Sequence, residues 1–179
     1  MNTKQIATFT RRTQEMYRRL MQGTLPVEAT LVGLQKLIEE GFDSIIDLDA
    51  DPFIPNEYTL ETHTKGGTFD FYPTKIGLYL SAEQKNGEHV EGHKLLKKLK
   101  AQPIFNANLL DWLLRKENQR FIPKEWGDTS VFFWGTIYRD LSGDLCVRHL
   151  CRRGNGWTSM GYSLDYRYGN NSPAIIAVP

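Results

Sequence analysis

The chain has 179 residues, enough for one sizeable hydrophobic core with a small appendage beside it. Its 22 Lys and Arg oppose 21 Asp and Glu, a formal net charge of +1, so no global field draws it to nucleic acid or to a membrane, and such a partner has to be met by a local patch. Cys146 and Cys151 are too few for a disulfide framework and lack zinc-site spacing. With no signal-like stretch over 1–12 and no apolar run of about 18 residues, the expectation is a cytoplasmic protein with reduced thiols.

Ile6, Phe9, Thr13, Met16, Tyr17 and Leu20 recur at three- and four-residue spacing, which predicts an amphipathic helix over 3–21 with Arg11, Arg12, Arg18 and Arg19 on its wet side. Gly23 stops it. Pro26, then Val27, Leu31, Leu34, Leu37 and Ile38, and Gly41 beyond the last turn predict a second helix, so residues 1–41 read as a helical hairpin. The arginines invite a nucleic-acid reading in which they contact phosphates; Glu28, Glu39 and Glu40 on the second helix oppose it.

Ile45, Ile46 and Leu48 form a short strand candidate that runs into an acidic loop. Asp47, Asp49 and Asp51 have the one-three-five spacing that opens a calcium loop, but Pro52 stands where the turn needs glycine and Tyr58 where a bidentate carboxylate is required. Phe69 and Phe71, then Ile76, Leu78 and Leu80, alternate as two short strands. Helices are predicted at about 90–100, burying Leu95, Leu96 and Leu99, and at 108–115, burying Leu109, Leu110 and Leu113. His89 and His93 lie four apart, but Val90 occupies the position a zinc protease gives to Glu, and Gly87 and Gly92 weaken a helix there. No nucleophile elbow or phosphate-cradling loop is present, and Cys146 with His149 lacks a third partner. The expectation is no enzyme, no metal and no cofactor.

Strands follow at 131–139 and 145–150 around the turn Ser142-Gly143-Asp144, and 174–178 is a closing strand. The overall class is α+β, with helices early and a β-rich end. The alphabet changes along the chain: all five basic residues after Ser130 are arginines, and Lys and Glu are absent there. Between Cys146 and Asn171, 17 of 26 residues are Gly, Asn, Ser, Tyr, Trp or Arg, the composition of antibody-like paratopes. Tyr and Trp bring large amphipathic area with little rotamer entropy, and Arg adds planar donors. This predicts an outward ligand-binding surface in which Tyr166, Tyr168 and Trp157 are desolvated and Arg152 and Arg153 supply charge-assisted hydrogen bonds.

Phe121-Ile122-Pro123, Trp126, Phe132-Phe133-Trp134-Gly135-Thr136, Tyr138 and the end at Pro173 to Val178 resemble the end of a C-type-lectin-fold domain of the formylglycine-generating-enzyme-like branch. Phe133-Trp134-Gly135-Thr136 is similar to that branch's Tyr-Trp-Ser-Ser string, and Ile175-Ile176-Ala177-Val178 to its last strand. The tail also resembles bacterial target proteins of diversity-generating retroelements, in which an error-prone reverse transcriptase rewrites adenines in one stretch of a gene.

The resemblance implies that residues 42–179 form a C-type-lectin-like domain whose variable binding segment spans about 140–178. It implies a ligand-binding surface of Cys146, His149, Cys151, Arg152, Asn155, Trp157, Thr158, Ser159, Gly161, Ser163, Tyr166, Tyr168, Asn170 and Asn171, with Trp134 and Gly135 as scaffold. The ligand would be a protein or other macromolecule, with no membrane involved. The chain lacks the Glu-Pro-Asn and Trp-Asn-Asp strings of calcium-dependent lectins, and the enzyme's catalytic cysteines do not map onto Cys146 and Cys151, so neither calcium nor catalysis carries over.

Overall fold

A computed structural model describes residues 3–31 and 45–178. The chain divides into two compact units, Met1–Ser44 and Ile45–Pro179. In the first, helix α1 spans Thr3–Met21 as its periodicity predicts. It ends where Gly23 adopts φ +66° and its N–H reaches the Leu20 carbonyl, the left-handed cap glycine supplies at least strain. Residues 27–31 are helical after Pro26, whose carbonyl accepts from Thr30. The remainder of the predicted second helix, including Leu34, Leu37, Ile38 and Gly41, lies outside the described residues.

The second unit is α+β. Its strands are β1 (Ile45–Asp47), β2 (Tyr58–His63), β3 (Thr68–Asp70), β4 (Ile76–Tyr79), β5 (Val90–Glu91), β6 (Val131–Asp140), β7 (Leu145–Arg153), β8 (Gly156–Ser163), β9 (Arg167–Tyr168) and β10 (Ala174–Ala177). Two eight-residue helices accompany them, α2 (Gly92–Leu99) and α3 (Ala107–Leu114), together with a single helical turn at Ala82–Lys85. A six-stranded sheet runs β4-β10-β6-β7-β8, with β2 also on β6; β1 with β3 and β5 with β9 make two small ladders.

Strand β6 is the axis. Val131 through Tyr138 are all buried, because both faces of the sheet are covered, and a strand buried on both faces reads as an apolar run with no alternation. On one face Val131, Phe133 and Leu150 pack under α3 with Leu109, Leu110, Leu113 and Trp126. On the other Phe132, Trp134, Ile137 and Val147 pack against Leu95 and Leu99 of α2, with Val90, Leu164 and Tyr168.

One edge of β6 is shared. β10 runs parallel to it at Ala174↔Phe132, and β2 runs antiparallel from Thr136 to Asp140. At the junction Gly135 donates its N–H to the Phe105 carbonyl at 2.9 Å and accepts from Thr64 at 2.7 Å. A Cβ there would come within 2.8 Å of the Asn106 backbone, so this close approach requires glycine. The buried Asn106 side chain donates to the carbonyls of Leu48 at 2.7 Å and Thr64 at 2.9 Å and accepts from Asn108 N–H at 3.1 Å, capping α3 while closing the split. Thr136 Oγ1 accepts from Ala107 N–H and meets His63 Nδ1 at 2.8 Å, which ties β2 to the same point.

Several elements differ from the sequence reading. Val90 and Glu91 are strand, paired with Tyr168 and Arg167, and the helix begins only at Gly92, where a Cβ would strike the Leu164 backbone. β2 was not predicted: four of its six residues are exposed, so it has no apolar face to read. β8 (Gly156–Ser163) is likewise absent from the strands that the sequence predicts.

Candidate ligand-binding surface

The β7–β8 hairpin sets the geometry. Its register opposes Cys146 to Ser163, Arg148 to Gly161, Leu150 to Ser159 and Arg152 to Trp157 on one face, and Val147 to Tyr162, His149 to Met160 and Cys151 to Thr158 on the other. The turn is Gly154-Asn155, with Gly154 at φ +57° and Asn155 exposed.

The predicted surface residues separate into three groups. Arg152, Asn155, Tyr166, Asn170 and Asn171 are exposed, Tyr166 at 58%. Cys151, Trp157, Thr158, Ser159, Gly161 and Ser163 are half-buried. Trp157 leans on the cluster under α3, Ser159 Oγ accepts from Arg148 Nε at 3.1 Å, Ser163 Oγ accepts from Asp165 N–H, and Gly161 lies under the Tyr58 hydroxyl, where any Cβ would overlap it.

Cys146, His149 and Tyr168 correct the sequence reading, because each is inside. Cys146 Sγ lies 3.6 Å from Asp140 Oδ2 and 3.8 Å from the Asp144 carbonyl. Burial first, then the negative charge of Asp140, pushes its thiol up to about 12, so it is neither a surface contact nor a reactive thiolate. Tyr168 is 0% exposed, packs its ring 5.0 Å from both Phe132 and Trp134, and donates its hydroxyl to the Ser163 carbonyl at 3.1 Å. Burial raises its phenol, which makes it a neutral framework donor. Tyr166, two residues earlier, sits with its ring 5.0 Å from Tyr162 and its edge in solvent.

His149 is 7% exposed and lies 4.7 Å from Phe132, ring to ring. Burial, aided by the Arg153 charge and opposed by the Met160 backbone, pulls it down to about 4, so the imidazole is neutral at physiological pH. Its Nδ1 and the indole Nε1 of Trp134 are buried without a hydrogen-bond partner among the described residues. Such orphans are rare in native interiors, and each costs ~1–3 kcal/mol. His149 forms the base of a cleft of about 420 Å³ whose walls include Phe132, Tyr162, Met160, Arg153, Arg167 and Asn171, with no acidic residue among its lining.

Arg148 is the second central residue that composition could not place. At 6% exposure it donates Nη2 to Asp111 Oδ1 at 2.8 Å and Nη1 to Asp111 Oδ2 at 3.2 Å, with its guanidinium 5.5 Å from the Phe53 ring. The fork-to-fork geometry keeps Arg148 charged, and Asp111 is held by it against a burial that pushes the carboxyl up. This arginine belongs to the frame, unlike Arg152 and Arg153 beyond it. Trp134 and Gly135 also lie inside.

Elsewhere, Asp47 Oδ1 accepts from Asp49 N–H and closes its own turn, and Asp49 Oδ1 accepts from Gly67 N–H, which ties that turn to the segment before β3. His93 pairs with Asp165 at 3.0 Å, whereas the ring of His89 lies over Gly169; the two imidazoles serve different neighbours. No cluster of three or more His, Cys, Asp or Glu suited to a metal occurs among the described residues. On α1, Arg11, Arg12, Arg18 and Arg19 are exposed, and Arg18 is engaged by Glu15 at 2.6 Å and Gln22 at 2.6 Å. No described helix is long and apolar enough to cross a membrane.

No known family, curated protein or solved structure matches the chain.

Proposed function

We propose that the chain is a non-enzymatic binding protein that presents the outer positions of the β7–β8 hairpin and of the 165–171 segment to a macromolecular ligand, most simply a protein. The observation that carries this reading is the separation of roles in one short stretch. Arg152, Asn155, Tyr166, Asn170 and Asn171 point to solvent, while the residues between them, Leu164 and Tyr168, anchor the backbone in the core. Side chains so placed can change identity without changing the packing, and the rigid aromatic and arginine anchors are those that dominate binding energy elsewhere. The cleft beside His149 adds a recess bounded by Arg153 and Arg167 into which a ligand's acidic group fits.

The same separation supports the lectin-type, retroelement-diversified reading, with residues 42–179 as scaffold and 1–41 as a helical hairpin extension. Its test lies in the DNA: a near-copy of the coding region for about 140–178, differing at adenines and flanked by a reverse transcriptase gene, is expected beside the gene. For binding itself, a partner is selected from a displayed protein library with the native chain as bait. The combined variant Arg152→Ala, Asn155→Ala and Tyr166→Ala is then measured against it. Loss of affinity of about a hundred-fold with an unchanged thermal midpoint is expected; retained affinity removes the reading.

A second reading, nucleic-acid association through α1, is favoured by the exposure of Arg11, Arg12 and Arg19. It requires affinity for DNA or RNA that falls steeply with salt and disappears when these arginines become Ala.

A further inference from the structure

The cleft beside His149 has one wall that is fixed from behind. Gln84, 1% exposed, donates its amide to the carbonyls of Gly169 at 2.9 Å and Ser172 at 3.1 Å. Ser172 N–H returns to the Gly169 carbonyl, and Ser130 N–H donates to the Asn171 carbonyl at 3.0 Å. The other wall is β8, where Met160 is exposed and Tyr162 half-buried on the same face of the strand. His149 Nδ1 is sealed beneath the surface, so an occupant meets the walls and the rim and not that nitrogen.

The rim is cationic and not neutralised. Arg153 and Arg167 are exposed, both line the cleft, and neither meets a carboxylate within ion-pair distance among the described residues. Arg167 donates Nη2 to the His89 carbonyl at 2.9 Å, which steadies its guanidinium and leaves its other N–H groups unused, although Glu88, Glu91 and Asp165 line a recess on its far side. Asn171 turns its side-chain oxygen to the Ser172 hydroxyl at 3.1 Å, which leaves its amide N–H donors open. Two guanidiniums and an amide offer more donors than the two oxygens of a carboxylate can use, and they suit the three terminal oxygens and near-double charge of a phosphate ester. A bare phosphate would leave Met160 and the Tyr162 ring wet. We propose that the cleft, within the macromolecular-ligand reading on which this rests, is a site for a phosphate monoester carried on an aromatic ring, the side chain of a phosphotyrosine on the protein ligand. The phosphate lies against Arg153, Arg167 and Asn171, and the ring lies on Met160 and Tyr162.

Calorimetric titration of the native chain with phenyl phosphate should saturate, and the Nε–H resonances of Arg153 and Arg167, each assigned by its loss on substitution to Gln, should shift together. Inorganic phosphate, which lacks the ring, and benzoate, which lacks the third oxygen and the second charge, should each bind more weakly by about five-fold or more. Arg153→Gln with Arg167→Gln should weaken phenyl phosphate by about ten-fold or more, and Arg153→Glu alone, at the exposed end of β7, by a similar factor. Arg120→Gln with Lys124→Gln removes the same charge from exposed positions outside the cleft and should change nothing. An absence of saturable binding, benzoate or inorganic phosphate bound as tightly as phenyl phosphate, or equal weakening by the two charge-removing pairs each overturns the proposal. The triple variant at Arg152, Asn155 and Tyr166 leaves the lining of the cleft intact and should bind phenyl phosphate like the native chain, so failure of this site is distinct from loss of the macromolecular ligand.

Discussion

The two strands of the β7–β8 hairpin share one turn and one unbroken register, yet they live in different environments. In β7, Cys146 through Leu150 are all buried, including an arginine and a histidine; in β8, no residue is fully buried and Gly156 and Met160 are exposed. The cause is position in the sheet. β7 has β6 on one side and β8 on the other, with covering layers on both faces, whereas β8 is the last strand of its sheet. A polar residue in β7 must therefore find its partner inside, as Arg148 does in Asp111, while one in β8 can use solvent. Composition averages over the two strands and reports one binding alphabet for what is half framework and half surface.

The sharpest test of this contrast compares Tyr168→Ala with Tyr166→Ala. Removing the fully buried Tyr168 ring from between Phe132 and Trp134 should cost ~3–5 kcal/mol in urea denaturation, and removing the exposed Tyr166 ring no more than ~0.5 kcal/mol. Equal losses would break the division into frame and surface. Next in size, Asp111→Ala leaves the Arg148 charge buried and alone, which should destabilise by ~3 kcal/mol or more. Restoring an apolar pair with Arg148→Met in the same chain should recover most of that loss, and a failure to recover would mean that Arg148 holds the strand through Ser159 or Phe53 instead.

A pH effect of ~2–3 kcal/mol is expected from His149. Its folded-state pKa of about 4 lies below the ordinary 6.5, so the fold holds the neutral ring. As pH falls below 6.5 the unfolded chain takes up the proton first, and stability that is complete above 6.5 drains away toward pH 4. Denaturation curves over that window should slope in the native chain and flatten in His149→Phe. The smallest effect belongs to the surface: Arg152→Ala and Asn155→Ala should each move stability by under ~0.5 kcal/mol.

Much of the fold was legible. Helix α1, the span of β6, the Ser142-Gly143-Asp144 turn and the closing strand follow from periodicity and turn chemistry, which are local properties. β2 and β8 were not legible. β2 is largely exposed, and β8 alternates Trp157, Ser159, Gly161 and Ser163 against Thr158, Met160 and Tyr162, a pattern whose apolar members fall on both faces. Of the residues that composition put on the surface, Arg152, Arg153 and Tyr166 are exposed, whereas Trp157 is half-buried and Tyr168 is inside; Asn155, Asn170 and Asn171 were named through the resemblance. Arg153, Arg167, Met160 and Tyr162 could be joined to His149 in one cleft only once the register of β7 with β8 was known.

By itself the sequence determined the α+β class, the order of most elements and the arginine-rich, lysine-free character of the last fifty residues. The tertiary structure decided which of those residues are surface. Tyr166 and Tyr168 flank one arginine in a Tyr-Arg-Tyr string, and what buries the second is the pairing of β9 with β5, where Tyr168 meets Val90 from far along the chain. Burial is set by contacts between distant segments, and a local pattern carries no record of them.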